Sequence, residues 1–309
     1  MNLTGLHHIT AIASDPKQNV DFYTRMLGLR FVKKSVNQDD PGTYHLYYGD
    51  YAATPGTILT FFPWPGTRRG RAGHGQAYAT AFSIPFGSVD FWTQRIIQSN
   101  IPSQPAVERF GETVLTLFDP DGLRLELVAT KEADLREPAP AKDIPREHAI
   151  RGFHGSTLAL RHDQATRSLL TATMGYRAVG RAGDRVRYTV GPGGPGTYVD
   201  LLVDPSLPAG LNGAGTIHHV AFRTADDRTQ LNAHSELSEQ GLGVSPIIDR
   251  AYFKSIYYRE PGGVLFEIAT DTPGFAIDEP VESLGQSLSL PPRLEPFRRE
   301  IEAALPALV

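Results

Sequence analysis

The chain has 309 residues, of which 40% are hydrophobic and 21% charged, with a formal net charge of −4. This balance describes a soluble globular protein with room for a large core or two fused domains, and it calls for neither nucleic acid nor an acidic membrane as partner. The absence of cysteine excludes disulfides, thiolate nucleophiles and cysteine-ligated zinc. The opening MNLTGLHHIT lacks a basic start followed by an apolar run, and no stretch is long and apolar enough for a membrane span. The cytoplasm is the expected location.

In chain order, TGLHHIT at 4–10 reads as a strand. A helix follows in DPKQNVDFYTRMLG, where Asp15 can cap, Pro16 suits the first helical position and Gly28 can stop it. Val20, Tyr23 and Leu27 then share one face. PGTILTFF at 55–62 reads as a strand, and the basic, glycine-rich GTRRGRAGHG at 66–75 as a mobile connection near a pocket mouth. SVDFWTQRIIQSN gives a second helix and DPDGLRLELVAT at 119–130 a turn feeding an apolar strand. The charged, proline-rich REPAPAKDIPRE at 136–147 reads as a linker. Beyond it come a helix ending at Gly175, a turn in GPGGPG at 191–196 and a strand in GTYVDLLV at 196–203. GTIHHVAF at 215–222 repeats the histidine doublet, a helix closes at Gly241, and EPGGVLFEIAT at 260–270 repeats the turn and strand. The tail EPFRREIEAALPAL reads as a helix packed on the body or on a second subunit.

Four copies of one unit account for this order: strand, helix, then several strands, near 3–65, 76–130, 151–204 and 214–270. Two domains of two units each, 1–135 and 151–275, are expected on either side of a linker at 136–150, with a tail at 276–309.

Placing the units in register compares what each offers a metal. Unit one has His8 and Thr60, unit two Ala79 and Glu126, unit three Gly155 and Asp200, and unit four His219 and Glu267. Units three and four together would give His219, Glu267 and Asp200; units one and four would give His8, His219 and Glu267. Two imidazoles and one carboxylate form the set used by non-haem Fe(II) oxygenases, and that chemistry favours the second pairing. Adjacent strand residues face opposite sides, so His7 and His8 cannot share a cup unless the strand is bulged. The second histidine of each doublet is taken as the ligand, and His7 is expected at the rim as an acid or base.

LHHIT, TIHHVAF and above all DRAYFKSIYYREPGGVLFEIAT at 249–270 resemble the ring-cleaving dioxygenases of the vicinal oxygen chelate (glyoxalase/bleomycin resistance/dioxygenase) superfamily, on the hydroquinone-type extradiol branch. The resemblance spans nearly the whole chain, DPGTYHLYYGD and PGFAIDE included. It implies an α+β fold of four βαβββ modules paired into two half-barrels, and Fe(II) or Mn(II) held by His8, His219 and Glu267. It further implies His7, Arg250 and Tyr257 around a small aromatic diol opened with dioxygen. By themselves, Arg250 beside Asp249 reads as a surface ion pair and Tyr257 in SIYY as sheet packing.

His45, His74, His148, His154, His162 and His234 are expected to carry no catalytic duty. GPGGPG lacks the Lys-Ser/Thr of a phosphate loop. A homo-oligomer such as a dimer is the expected assembly. Two rival functions remain on one fold: a metal-dependent isomerase or lyase of the glyoxalase kind, needing a second carboxylate, and a non-catalytic binding protein for an aromatic toxin.

Overall fold

Asp15 caps the first helix as its position predicts: the carboxylate accepts from the Gln18 backbone N–H at 3.0 Å, and Pro16 takes the first helical place. In the computed structural model, which describes residues 1–308, unit one runs β1 (Leu6–Ala13), α1 (Pro16–Asp21), β2 (Arg30–Val36), β3 (Tyr44–Gly49) and β4 (Ile58–Pro63). The helix is shorter than its sequence pattern suggests, because a π-turn over Phe22–Met26 takes its second half; Gly28 then ends it at φ +70°. Such left-handed backbone favours glycine. The π-turn inserts Phe22, Tyr23 and Met26 into the core.

Unit two is β5 (Gln76–Pro85), α2 (Val89–Gln98), β6 (Ser103–Arg109), β7 (Glu112–Phe118) and β8 (Arg124–Thr130). Unit three is β9 (Gly152–Leu160), α3 (Gln164–Ser168), β10 (Arg177–Ala182), β11 (Arg185–Thr189) and β12 (Tyr198–Val203), again with a π-turn, Leu169–Thr173, completing its helix. Unit four is β13 (Thr216–Thr224), α4 (Asp227–Glu239), β14 (Ile248–Asp249), β15 (Phe253–Arg259) and β16 (Leu265–Pro273). A capping box between Asp226 and Thr229 starts α4. The four βαβββ modules of the expected fold are all present.

The modules combine across the chain. One eight-stranded sheet has the order β14-β15-β16-β13-β1-β4-β3-β2 and the other β10-β11-β12-β9-β5-β8-β7-β6. Units one and four share the first sheet through the antiparallel β1–β13 pair, and units two and three share the second through β5–β9. The two chain halves therefore interleave, and neither 1–135 nor 151–275 owns a sheet. One contiguous core, including Tyr23, Phe61, Trp92, Phe153 and Phe222, draws on all four units. Full burial of each such ring stabilises by about 2–3 kcal/mol.

The connection at 66–75 is paired, in contrast to the mobile segment expected. Arg69, Arg71 and His74 bridge to Ala214, Leu211 and Ala209 of the matching connection between units three and four. Glycine permits this approach: a Cβ on Gly73 would lie 2.2 Å from the Pro208 carbonyl oxygen. At the far end of the chain, α5 (Arg298–Ala304) packs on the body through Ile301.

Candidate metal centre

Each histidine doublet sits on a β-bulge. Along β1, Leu6 pairs with Phe222 but His8 already with Ala221, so His7 is the extra residue; along β13, Thr10 faces His219 and Ala11 faces Ile217, so His218 is. The bulges place the second histidine of each doublet inside the cup between β1 and β13. They also turn the first beside it: His7 Nδ1 lies 2.9 Å from His8 Nδ1, and His218 Nδ1 lies 2.8 Å from His219 Nδ1.

The Nε2 atoms of His8 and His219 thus face each other at 3.3 Å. Glu267, reaching in from β16, brings Oε2 to 2.9 Å from His219 Nε2 and 3.3 Å from His8 Nε2. All three side chains are buried, and among the described residues they form the one group of three such ligands that converges. Ser255 donates to the other Glu267 oxygen, Oε1.

The hydrogen bonding assigns the protons. Thr270 O can only accept, so His7 Nε2, 3.1 Å away, carries the ring's hydrogen. Burial, then the neighbouring His8, pushes His7 far below its ordinary pKa, so the ring is neutral and its Nδ1 accepts. His8 Nδ1 is then the donor, and His8 Nε2 presents a lone pair. Glu267 Oε2, fully buried, has no hydrogen-bond donor. His8 Nε2 and Glu267 Oε2 are then two acceptors 3.3 Å apart beside His219 Nε2, and such a pair repels unless a cation lies between, which is the chemistry of a metal ligand set.

A cavity of 420 Å³ opens onto His8 and His219. Arg250 and Tyr257 both line it, brought there by the β14–β15 hairpin. Arg250 Nε donates to Tyr257 Oη at 3.3 Å, so neither residue behaves as the surface pair or packing residue it resembles in isolation. Burial and the Glu267 charge push the Tyr257 phenol well above its ordinary value, keeping it protonated. His7 does not line the cavity. It lies behind His8, 1% exposed, a departure from the rim position expected of it.

Two histidines on the cavity wall were missed. His218 lines it beside His219, and His45, expected to be idle, lines it too. His45 Nε2 and Nδ1 are engaged by Thr60 Oγ1 at 2.9 Å and Tyr47 Oη at 2.7 Å. The repeated doublet was a usable signal for His218; none existed for His45.

The second sheet carries the equivalent cup, and arginine fills it. Arg187 binds Asp200 through Nε and Nη2 at 2.8 and 3.1 Å and Glu112 through Nη1 at 2.6 Å, while His154 Nε2 lies 2.9 Å from Glu112. Glu126 is held by Arg109 at 2.6 Å. Thr60, in the place a fourth ligand would take in unit one, is bonded to Thr10 at 2.8 Å as well as to His45. Among the described residues, no second carboxylate joins the triad.

Residues 5–127 match the Glyoxalase/Bleomycin resistance protein/Dioxygenase superfamily. The chain is 47% identical over 301 residues to the Bacillus subtilis protein named “Putative ring-cleaving dioxygenase MhqO”, covering 97% of this chain and 95% of that one. The chain belongs to this superfamily, on its dioxygenase branch. It is also 35% identical over 305 residues to the chlorohydroquinone/hydroquinone 1,2-dioxygenase of Sphingobium indicum, covering 96% and 94% of the two chains. A crystal structure of a Bacillus subtilis dioxygenase homologue superposes with a TM-score of 0.95 at 45% identity, covering 100% and 98%. Maize glyoxalase I shares the fold alone, with a TM-score of 0.62 at 15% identity over 87% and 92%. The expected superfamily, fold and oxygenase class are all borne out.

Proposed function

We propose that the protein is an Fe(II)-dependent dioxygenase that opens the ring of a hydroquinone or related diol with dioxygen. The convergence of His8, His219 and the donor-less Oε2 of Glu267 at the floor of an open cavity carries this reading, and the names of its relatives support it. These three residues would hold the metal, and Fe(II) would supply the one-electron chemistry that ground-state dioxygen needs to react with a closed-shell ring.

The protein's own groups hold the substrate and its protons. Because Arg250 Nε donates to Tyr257 Oη, the phenolic hydrogen is free to point into the cavity and bond a substrate oxygen. The Arg250 guanidinium stands beside it to offset negative charge that develops there. His218 Nδ1 lies 2.8 Å from His219 Nδ1, so if His219 turns an unprotonated Nε2 to a metal and donates from Nδ1, His218 Nδ1 accepts and its hydrogen sits on Nε2. Burial, then the neighbouring His219, lowers the His218 pKa to about 3, so the ring is a neutral donor at the cavity wall. His7, whose Nε2–H is committed to Thr270, positions His8 instead of moving a proton to substrate.

The glyoxalase reading is weaker, since Glu126 is locked in the other sheet and Thr60 is no carboxylate ligand. The test is ring opening of methylhydroquinone under ¹⁸O₂ by anaerobically Fe(II)-loaded protein, followed by mass spectrometry. Two labelled oxygens in a ring-opened product are expected. An unlabelled isomer would support the glyoxalase reading, and binding of the diol with no product would support the binding protein.

A further inference from the structure

The sheet that carries the triad is open, with β14 at one edge and β2 at the other, so its cup has a mouth between them. The chain leaving β16 crosses that mouth. Phe275 stacks on Tyr252 at 4.9 Å, and Asp278 and Glu279 then reach Lys33 of β2. The residues after them run beside β2. Arg30 Nη2 donates to Glu282 O at 3.0 Å, the Ser289 N–H to Lys34 O at 2.8 Å, and Arg293 Nη2 to Gln38 O at 2.8 Å. Tail and strand meet at the cavity: Ile277, Asp278, Leu290, Pro291 and Pro292 line it together with residues 35–39 of β2 and the turn after it. That lining mixes carboxylates, amides and a hydroxyl with apolar groups.

The tail covers β2 without becoming a ninth strand. Among the described residues it makes one bridge to β2, Leu288 on Lys34, where a paired strand would carry a ladder. Two other contacts bring it close. Gly285 lies against the Phe31 carbonyl at φ +80°, and a Cβ there would stand 2.2 Å from that oxygen. Lys33 is fully buried, with Nζ 2.7 Å from Asp278 Oδ1 and 2.5 Å from Glu279 Oε2. Nζ also lies 4.8 Å from the centre of the Tyr252 ring, whose hydroxyl donates to Asp278 Oδ2 at 2.9 Å. An ammonium cannot stay buried and charged without partners, and both carboxylates come from the tail. Burying Lys33 and closing the mouth are one event. Neither Lys33 nor Gly285 lines the cavity, so each acts on it only through the tail.

A cover fastened at a few points, and not by a ladder, can lift as a unit while the sheet beneath it stays folded. We propose that residues 278–293 form a strap over the mouth, that Lys33 is its positioning residue, and that a diol enters and its product leaves when the strap lifts from β2. With the strap down, bulk water is kept from the ring while it reacts. The strap rests on the dioxygenase reading above for the identity of what it encloses.

The test uses full-length, Fe(II)-loaded protein in three forms: native, Lys33→Met and Gly285→Ala. Lys33→Met removes the charge that the strap covers. Gly285→Ala pushes the two backbones apart with every charge in place, and it answers the question alone should Lys33→Met not fold. Anaerobic binding of methylhydroquinone is followed by stopped-flow fluorescence of Trp64, which lines the cavity. Oxygen uptake and tryptic cleavage after Arg293 are measured beside it. Entry scales with the fraction of molecules whose strap is open, so association and dissociation should both quicken about tenfold in each variant. Cleavage should quicken with them, whereas a residue that merely supports the fold would weaken binding without speeding entry. Entry or cleavage unchanged in the folded variants overturns the proposal. Faster entry in the variants, with no oxygen consumed by native protein, would sink the dioxygenase reading and leave the strap supported. Native protein that binds no diol would sink both.

Discussion

Replacing His7 by phenylalanine separates support of a ligand from proton transfer. The ring is buried behind His8 and makes two hydrogen bonds, 2.9 Å to His8 Nδ1 and 3.1 Å to Thr270 O. Phenylalanine keeps the packing and removes the acceptor for the His8 Nδ1–H. That hydrogen is then left buried and unpaired, or the His8 ring adopts the other tautomer and turns its Nε2 hydrogen toward Glu267. Losing such an outer partner costs 10–100-fold in metal affinity, about 1.4–2.7 kcal/mol. Affinity for Co(II), measured by competition with a chromogenic chelator, should fall by that factor, and excess metal should restore much of the turnover. His7→Gln, whose amide oxygen can accept, should recover part of the loss. Native affinity together with lost turnover would refute the tautomer argument and return His7 to proton transfer.

Tyr257→Phe should lower turnover by roughly 100-fold while leaving metal stoichiometry native, since Tyr257 lines the cavity and is no ligand; a variant that loses metal instead would contradict this. Arg187→Met strands Asp200 and Glu112 in the second cup, and calorimetry should show a loss of about 3–5 kcal/mol. Metal affinity should be native in that variant; a change there would mean that the cups communicate. Glu112 is held at about 2 by His154 and Arg187 against the push of burial. A carboxyl depressed in the folded state stabilises above its unfolded pKa, and that contribution fades as pH falls from about 4.5 toward 2. Chemical denaturation should find Glu112→Gln about 2 kcal/mol less stable than native at pH 7 after allowance for solvent screening, with the gap closing in acid. A gap independent of pH would refute the assignment.

Much of this organisation was legible in the sequence, and the reason is repetition. Asp15, Pro16 and Gly28 marked one helix, and the turn-and-strand motif recurred behind each helix in register. The triad could be picked because His219 and Glu267 fall in one unit and only unit one supplies a second ligand-grade histidine. Features that depend on through-space neighbours were not legible. The bulges at His7 and His218 arise from how β1 meets β13, so the sequence could pose the facing problem but not resolve it. His45 looked idle because Thr60 and Tyr47, which orient it, act across a sheet. The interleaving of the halves was reached only through ligand chemistry, which favoured units one and four, because a linker at 136–150 by itself suggests two separate domains. The tail carried no ligand motif, and its part in the cavity follows from the free edge of β2, a property of strand order alone.

The central claim is that units one and four, from opposite ends of the chain, build one metal site. Equilibrium dialysis of Fe(II) under anaerobic conditions tests it directly, with native protein beside His8→Ala, His219→Ala and Glu267→Gln. One ion per chain in the native protein, and loss of tight binding in all three variants alike, is the predicted result. Native stoichiometry and affinity retained in His8→Ala would contradict it, because the metal would then be held by unit four without unit one.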